Sequence, residues 1–149
     1  MNANNDIGRF LSAQDSGWSG YRTALREIMD GKKRSHWIWY IFPQLRGLGF
    51  SRMSTFYGIA DSNEARAYLE HPVLGPRLRE ITDALLRHGD KPATTILGDI
   101  DAMKVYSCMT LFDNISPDDI FARVLETFYC GERDSRTLSR LSAEDAYQR

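Results

Sequence analysis

Ser35-His36-Trp37-Ile38-Trp39-Tyr40-Ile41-Phe42-Pro43 is the stretch on which the fold turns. It is apolar on every side, so hydrophobic periodicity alone does not separate strand from helix. Its aromatic and β-branched residues favour a strand. No second segment of comparable quality follows, however, and a lone strand would leave its backbone N–H and C=O groups without partners. A helix satisfies those groups internally. The stretch therefore reads as a buried central helix, capped by Ser35, ended by Pro43 and wrapped by the others.

Outward from it, the chain is punctuated as further helices. Asp6 caps a short helix with Ile7, Phe10 and Leu11 on one face, and the run from Ser16 to Gly20 breaks it. Tyr21, Ala24, Leu25 and Ile28 share a face ahead of Gly31, which suits a left-handed stop. Asp61 and Glu64 have capping-box spacing before Ala65, Tyr68 and Leu69, and that helix ends at His71-Pro72. Leu78, Ile81, Ala84 and Leu85 mark a helix between Pro76 and Gly89, and Ile100, Met103, Ser107, Leu111 and Phe112 mark another. Ser116-Pro117 with Asp119 reads as cap, first-turn proline and box before Ile120, Phe121, Val124, Leu125 and Phe128, with Gly131 as the stop. A last short helix follows Asp134 through Leu138 and Leu141. The expected fold is all-α: a compact single-domain bundle of about six to eight helices with one buried central helix. It spans residues 1–149, with short polar tails at 1–5 and 143–149.

With 149 residues, 42% of them hydrophobic, the chain can build one core and is neither disordered nor fibrous in composition. Its longest apolar run, Trp37 to Phe42, is far below the ~20 residues of a membrane span. The first residues carry no basic and apolar leader. Cys108 and Cys130 are too few for a disulfide framework and read as free thiols on apolar helices. These features point to a cytoplasmic protein outside the membrane.

The net charge of −1 conceals an uneven distribution. Residues 31–60 contain no Asp or Glu, but hold Lys32, Lys33, Arg34, Arg46 and Arg52 among seven aromatic side chains. Between Ala93 and Asp134, eight acids face three bases. A basic, aromatic-rich segment is what an anion bearing a ring would need, since cations hold the charge and ring faces stack. The alternative is that the basic stretch packs against the acidic one within the molecule. A general nucleic-acid domain is disfavoured, because such domains are basic overall.

The run Gly31 to Leu45 followed by Gly47-Leu48-Gly49 resembles the signature of a bacterial family, the domain-of-unknown-function family numbered 1810, some of whose members carry the label calpastatin. Three further blocks are similar: Ala67 to Gly75, Lys104 to Phe112, and Gly131 through Asp134 to Thr137-Leu138. Cys108 stands where a second serine is common, and Ile38 where methionine is common. The resemblance implies a compact, mainly α-helical domain with one helix surrounded by others. It implies no reaction and no catalytic residues. The calpastatin label finds no support, because calpain inhibitors of that kind are long, disordered and repetitive.

Residue by residue, the chemistry is sparse. His36, His71 and His88 are too scattered to form a local metal motif, so no metal site and no cofactor are expected. His36, beside Lys33 and Trp37, is the candidate for proton transfer, with Glu70 as an acidic alternative. His71 and His88 lie at helix ends, where a cation favours the dipole. Gly47-Leu48-Gly49-Phe50-Ser51 is either a plain turn or a phosphate wrap, and lacks both the dinucleotide and the P-loop pattern. Trp37 and Trp39 cannot face one way on a helix: one belongs to the core and the other lines a pocket with Tyr40 or Tyr57. Lys104 interrupts an apolar stripe, and Ser107 lies one turn beyond it, the spacing of a lysine-activated serine. The candidate ligand contacts are Lys33, His36, Trp37, Gln44, Tyr57 and Lys104. The expected function is binding of a small anionic, aromatic-bearing ligand such as a nucleotide derivative, with hydrolysis or group transfer as the associated chemistry. The alternative is a non-catalytic protein–protein interaction module. The oligomeric state is not legible in the sequence.

Overall fold

A computed structural model of the protein describes the backbone of residues 6–148 and the side chains of residues 6–144, so the expected tail 1–5 lies outside the described residues. The all-α expectation holds. Among the described residues ten helices follow one another: α1 Gly8–Gln14, α2 Tyr21–Met29, α3 Ile38–Ile41, α4 Arg52–Tyr57, α5 Ser62–Glu70, α6 Leu74–Leu86, α7 Ala93–Leu97, α8 Asp99–Ile115, α9 Ile120–Phe128 and α10 Ser135–Gln148. The count exceeds the expected range through two short elements, α4 and α7, that periodicity is too short to detect. The last helix is longer than expected and runs into the stretch read as a polar tail.

The central position belongs to α8, which packs against α5, α7, α9 and α10. Its Val105, Cys108, Met109, Leu111 and Phe112 are fully buried. The expected register of this helix is displaced: Ile100 is 73% and Met103 50% exposed, and Ala102 and Val105 turn inward instead. One continuous core connects Phe10, Trp37, Tyr68, Leu78, Phe112 and Phe121.

The stretch that decided the fold class is helical but contracted to the single turn α3. Ser35 does not cap it. Trp37 takes the cap position without a side-chain bond, while the Ser35 hydroxyl donates to Glu27 Oε2 at 2.6 Å. Trp37, Ile38, Tyr40, Ile41 and Phe42 are nevertheless all buried, as a segment apolar on every side requires. Beyond Pro43 the backbone returns on itself. Arg46 N donates to Ile59 O and Ile59 N to Gln44 O, both at 2.8 Å, closing a loop that contains α4.

Several local signals act as read. Gly31 and Gly131 adopt φ of +75° and +74° after α2 and α9. Asp61 Oδ1 accepts from Glu64 N at 2.9 Å, though the Glu64 carboxylate reaches Ala60 N rather than the cap residue's own amide. At α9 the cap is Asp119, not Ser116. Asp118 turns the chain at φ +58°, and Ser116 Oγ donates to Asp119 Oδ2 at 2.7 Å. Cys108 is buried as expected, whereas Cys130 is exposed in a left-handed turn at φ +57°.

Candidate functional site

Around α3 and the first turns of α8 lie three hollows that share lining residues and together make a groove. The largest, about 510 Å³, is walled by Lys33, His36, Trp39, Asp99, Ile100, Asp101 and Lys104. Sharing Trp39 and Lys104 with it is a slot of about 10 Å³ between Trp39, Phe42, Gln44, Ser54, Tyr57, Gly58 and Lys104. Such a volume accepts roughly one water or one oxygen-sized group. A third part, about 320 Å³, lies between Gln44, Leu48, Gly49, Met103, Lys104 and Arg136. Lys104 borders all three. The displaced register of α8 places it there, since Ile100 and Met103 leave the core and form the apolar rim.

Local structure shapes the slot. Ser51 caps α4 by accepting from Ser54 N at 3.1 Å, which orients the helix that ends at Tyr57. Gly58 permits the return to Ile59, because a Cβ there would stand 2.6 Å from Arg46 Cα. The Tyr57 ring is held edge-on by Phe56 at 4.8 Å and tilted against Tyr40 at 5.2 Å. Burial, and secondarily the Tyr40 phenol, raises its hydroxyl above the ordinary tyrosine pKa, so it remains a hydrogen-bond donor.

The polar groups around the slot are uncommitted. Among the described residues, no hydrogen bond or ion pair engages the Lys104 amine, the Gln44 amide or the Tyr57 hydroxyl. Three residues that carry uncommitted donors thus border one small space whose wall is largely apolar.

Lys33 is differently placed. Its amine pairs with Asp101 Oδ2 at 2.8 Å, donates to Ser35 O and lies 4.9 Å from the centre of the Trp37 ring. Its side chain is only 8% exposed, so it closes the groove wall as half of an ion pair. The segment that carries it is anchored by Glu27, which accepts from Arg34 N, Ser35 N, Ser35 Oγ and Trp37 Nε1 at 2.6–2.9 Å.

Of the residues singled out in the sequence, Gln44, Tyr57 and Lys104 meet at the slot, and Lys33 and His36 line the adjoining hollow. Trp37 does not reach either: it is fully buried, with its indole N–H committed to Glu27, and Trp39 provides the aromatic wall. Glu70 is exposed at the end of α5 and lines no part of the groove. Ser107 is fully buried and donates to Asp134 Oδ2 at 2.6 Å, which removes it as a nucleophile toward any ligand. His71 Nδ1 accepts from Val73 N and Leu74 N at 3.1 and 3.2 Å, so the ring caps the start of α6 rather than closing α5. His88 bonds the Met29 carbonyl through Nε2 at 3.0 Å. Gly47 to Gly49 form a turn whose Leu48 and Gly49 border the groove. Among the described residues, no three His, Cys, Asp or Glu side chains converge as a metal site, and no helix is long and apolar enough to cross a membrane. Of the two tryptophans it is Trp39, not Trp37, that lines the pocket with Tyr57, and Asp99, Asp101, Ile100 and Met103 are among the groove residues that reasoning from sequence did not assign. The signal for the last two was the N-terminal part of the apolar stripe on α8, where the core face lies two positions on, at Ala102 and Val105.

The chain is similar to the conserved hypothetical protein Rv1873 of Mycobacterium tuberculosis, whose crystal structure superposes with a TM-score of 0.88 at 40% identity. The match covers 93% of this chain and 97% of that one. A search of curated proteins finds no match. Residues 4–141 match the profile of proteins of unknown function designated DUF1810, nearly the whole length and including every part of the groove. The chain belongs to the DUF1810 family.

Proposed function

We propose that the protein binds a small organic anion that carries a ring, the class that includes aromatic acids and nucleotide derivatives. The anionic oxygen enters the slot and the ring lies against Trp39. The observation that carries this reading is that Lys104, Gln44 and Tyr57, none with a side-chain partner among the described residues, all border a space the size of one oxygen. A bound anion gives these donors a charge-assisted partner that the protein itself does not supply. His36 borders the same hollow and is the group there suited to moving a proton.

Calorimetry and thermal shift with 4-methylbenzoate and with nucleoside monophosphates test the reading. Lys104→Met removes the free cation and keeps the apolar stem. It is expected to weaken acid binding by about 1.5–3 kcal/mol, the strength of a charge-assisted hydrogen bond, while leaving the melting temperature within a degree or two. Lys33→Met should behave oppositely, lowering the melting temperature through the unpaired Asp101 and sparing affinity. Absence of binding by every acid at millimolar concentration would overturn the proposal.

A further inference from the structure

The charges along the groove are specific about what else the ligand carries. The 510 Å³ hollow has two cations, Lys33 and Lys104, and two carboxylates, Asp99 and Asp101. Lys33 and Asp101 neutralise one another at 2.8 Å. What remains beside the His36 imidazole is one amine and one carboxylate, and among the described residues neither the Lys104 amine nor the exposed Asp99 carboxylate has a partner. They do not satisfy each other. Five residues separate them on α8, a rise of about 7.5 Å, and Ile100 and Trp39 form the wall of the hollow they share.

A ligand with several negative charges fits this arrangement poorly, because its second charge would face Asp99. A ligand with an anion at one end and a cation at the other meets both free groups and leaves its apolar body against Trp39, whose ring face also attracts a cation. We infer that the groove takes a small zwitterion, an ammonium and a carboxylate held several ångströms apart by a flat apolar body, with the carboxylate at Lys104 and the ammonium at Asp99. The inference rests on the anion-binding reading above and narrows it, setting dianionic phosphates aside.

Three matched probes decide it: 4-(aminomethyl)benzoate, which carries both charges across a ring, 4-methylbenzoate, which carries the anion alone, and benzylamine, which carries the cation alone. Calorimetric titration of the whole protein should give the zwitterion at least about tenfold tighter binding than either single-charge probe. Asp99→Asn, a substitution at an exposed position, should erase the advantage over 4-methylbenzoate and leave 4-methylbenzoate itself unweakened. Lys104→Met should weaken both acids. Equal binding of 4-(aminomethyl)benzoate and 4-methylbenzoate to the native protein would overturn the zwitterion inference and leave the anion reading standing. Failure of both benzoates with binding of a nucleoside monophosphate would likewise overturn the zwitterion inference alone, and failure of all of these acids would overturn the two together.

Discussion

Glu27 is a buried carboxylate without a cation beside it, held by the Arg34 and Ser35 amides, the Ser35 hydroxyl and the Trp37 indole. Burial by itself would raise its pKa, but those hydrogen bonds outweigh burial and hold it at about 2, against an ordinary value of 4.5. A folded-state pKa below the unfolded one means the stabilisation is complete above pH 4.5 and is lost as pH falls toward 2. Glu27→Gln keeps one acceptor oxygen and loses the charge. It should cost on the order of 2–3 kcal/mol at neutral pH. Thermal melts across pH should also show a shallower acid limb for the variant than for the native protein between pH 4.5 and 2. The same carboxylate explains why Trp37 is core and Trp39 is not, since only the Trp37 indole N–H has a buried acceptor within reach.

Among the elements, α9 gives the sharpest test of how a helix start is chosen. Ser116-Pro117 has the sequence of a cap and first turn, yet the helix begins four residues later, at Ile120. Asp119 wins because its carboxylate does three things that Ser116 cannot. It accepts from Ile120 N at 2.7 Å, from Ser116 Oγ at 2.7 Å, and from Arg79 Nη1 of α6 at 2.7 Å. Burial opposes its charge, and these bonds, Arg79 first, still hold its pKa below the ordinary aspartate value. Asp119→Ala should therefore cost about 1–2 kcal/mol, and Ser116→Ala no more than about half of that. Chemical denaturation of the two variants ranks them. Equal losses would return the cap to Ser116. The periodicity behind α9 was legible, because Phe121, Val124 and Leu125 are buried at the expected spacing. The boundary was not, because it depends on a residue of another helix.

At the scale of the whole molecule, Arg9 ties the N-terminal helix to the groove. Its guanidinium is buried and donates to Phe56 O at 2.8 Å, to Gly58 O at 2.9 Å, to Asp6 O at 2.7 Å and to both Glu64 oxygens at 2.9 and 3.0 Å. Two of these acceptors flank Tyr57, so α1, α5 and the slot wall share one planar clamp. Lysine has the charge but not the fork, and its three donors radiate from a single atom. Arg9→Lys should lower stability by about 2–4 kcal/mol, or about 5–15 °C in melting temperature for a chain of this size. A fall smaller than about 2 °C in a thermal scan would show that the clamp is replaceable.

Sequence alone determined what short-range energetics control. The all-helical class followed from backbone groups that a lone apolar segment cannot leave unpaired. The stops at Gly31 and Gly131, the cap at Asp61 and the core faces of α2 and α9 each depend on residues one helical turn apart. The acid-free, aromatic-rich stretch likewise marked Gln44 and Tyr57 before any geometry, and Lys104 stood out as a cation breaking an apolar stripe. Tertiary structure decided the rest. Glu27 captures Ser35 and Trp37 from ten residues away and shortens α3 to one turn, and Asp101 takes Lys33 out of the candidate anion site. The placement of α8 against α5, α9 and α10 turns Ile100 and Met103 outward and brings Lys104 over Gln44 and Tyr57. These outcomes pit groups far apart in the chain against one another for the same hydrogen bonds and the same buried space, and only packing sets which of them meet.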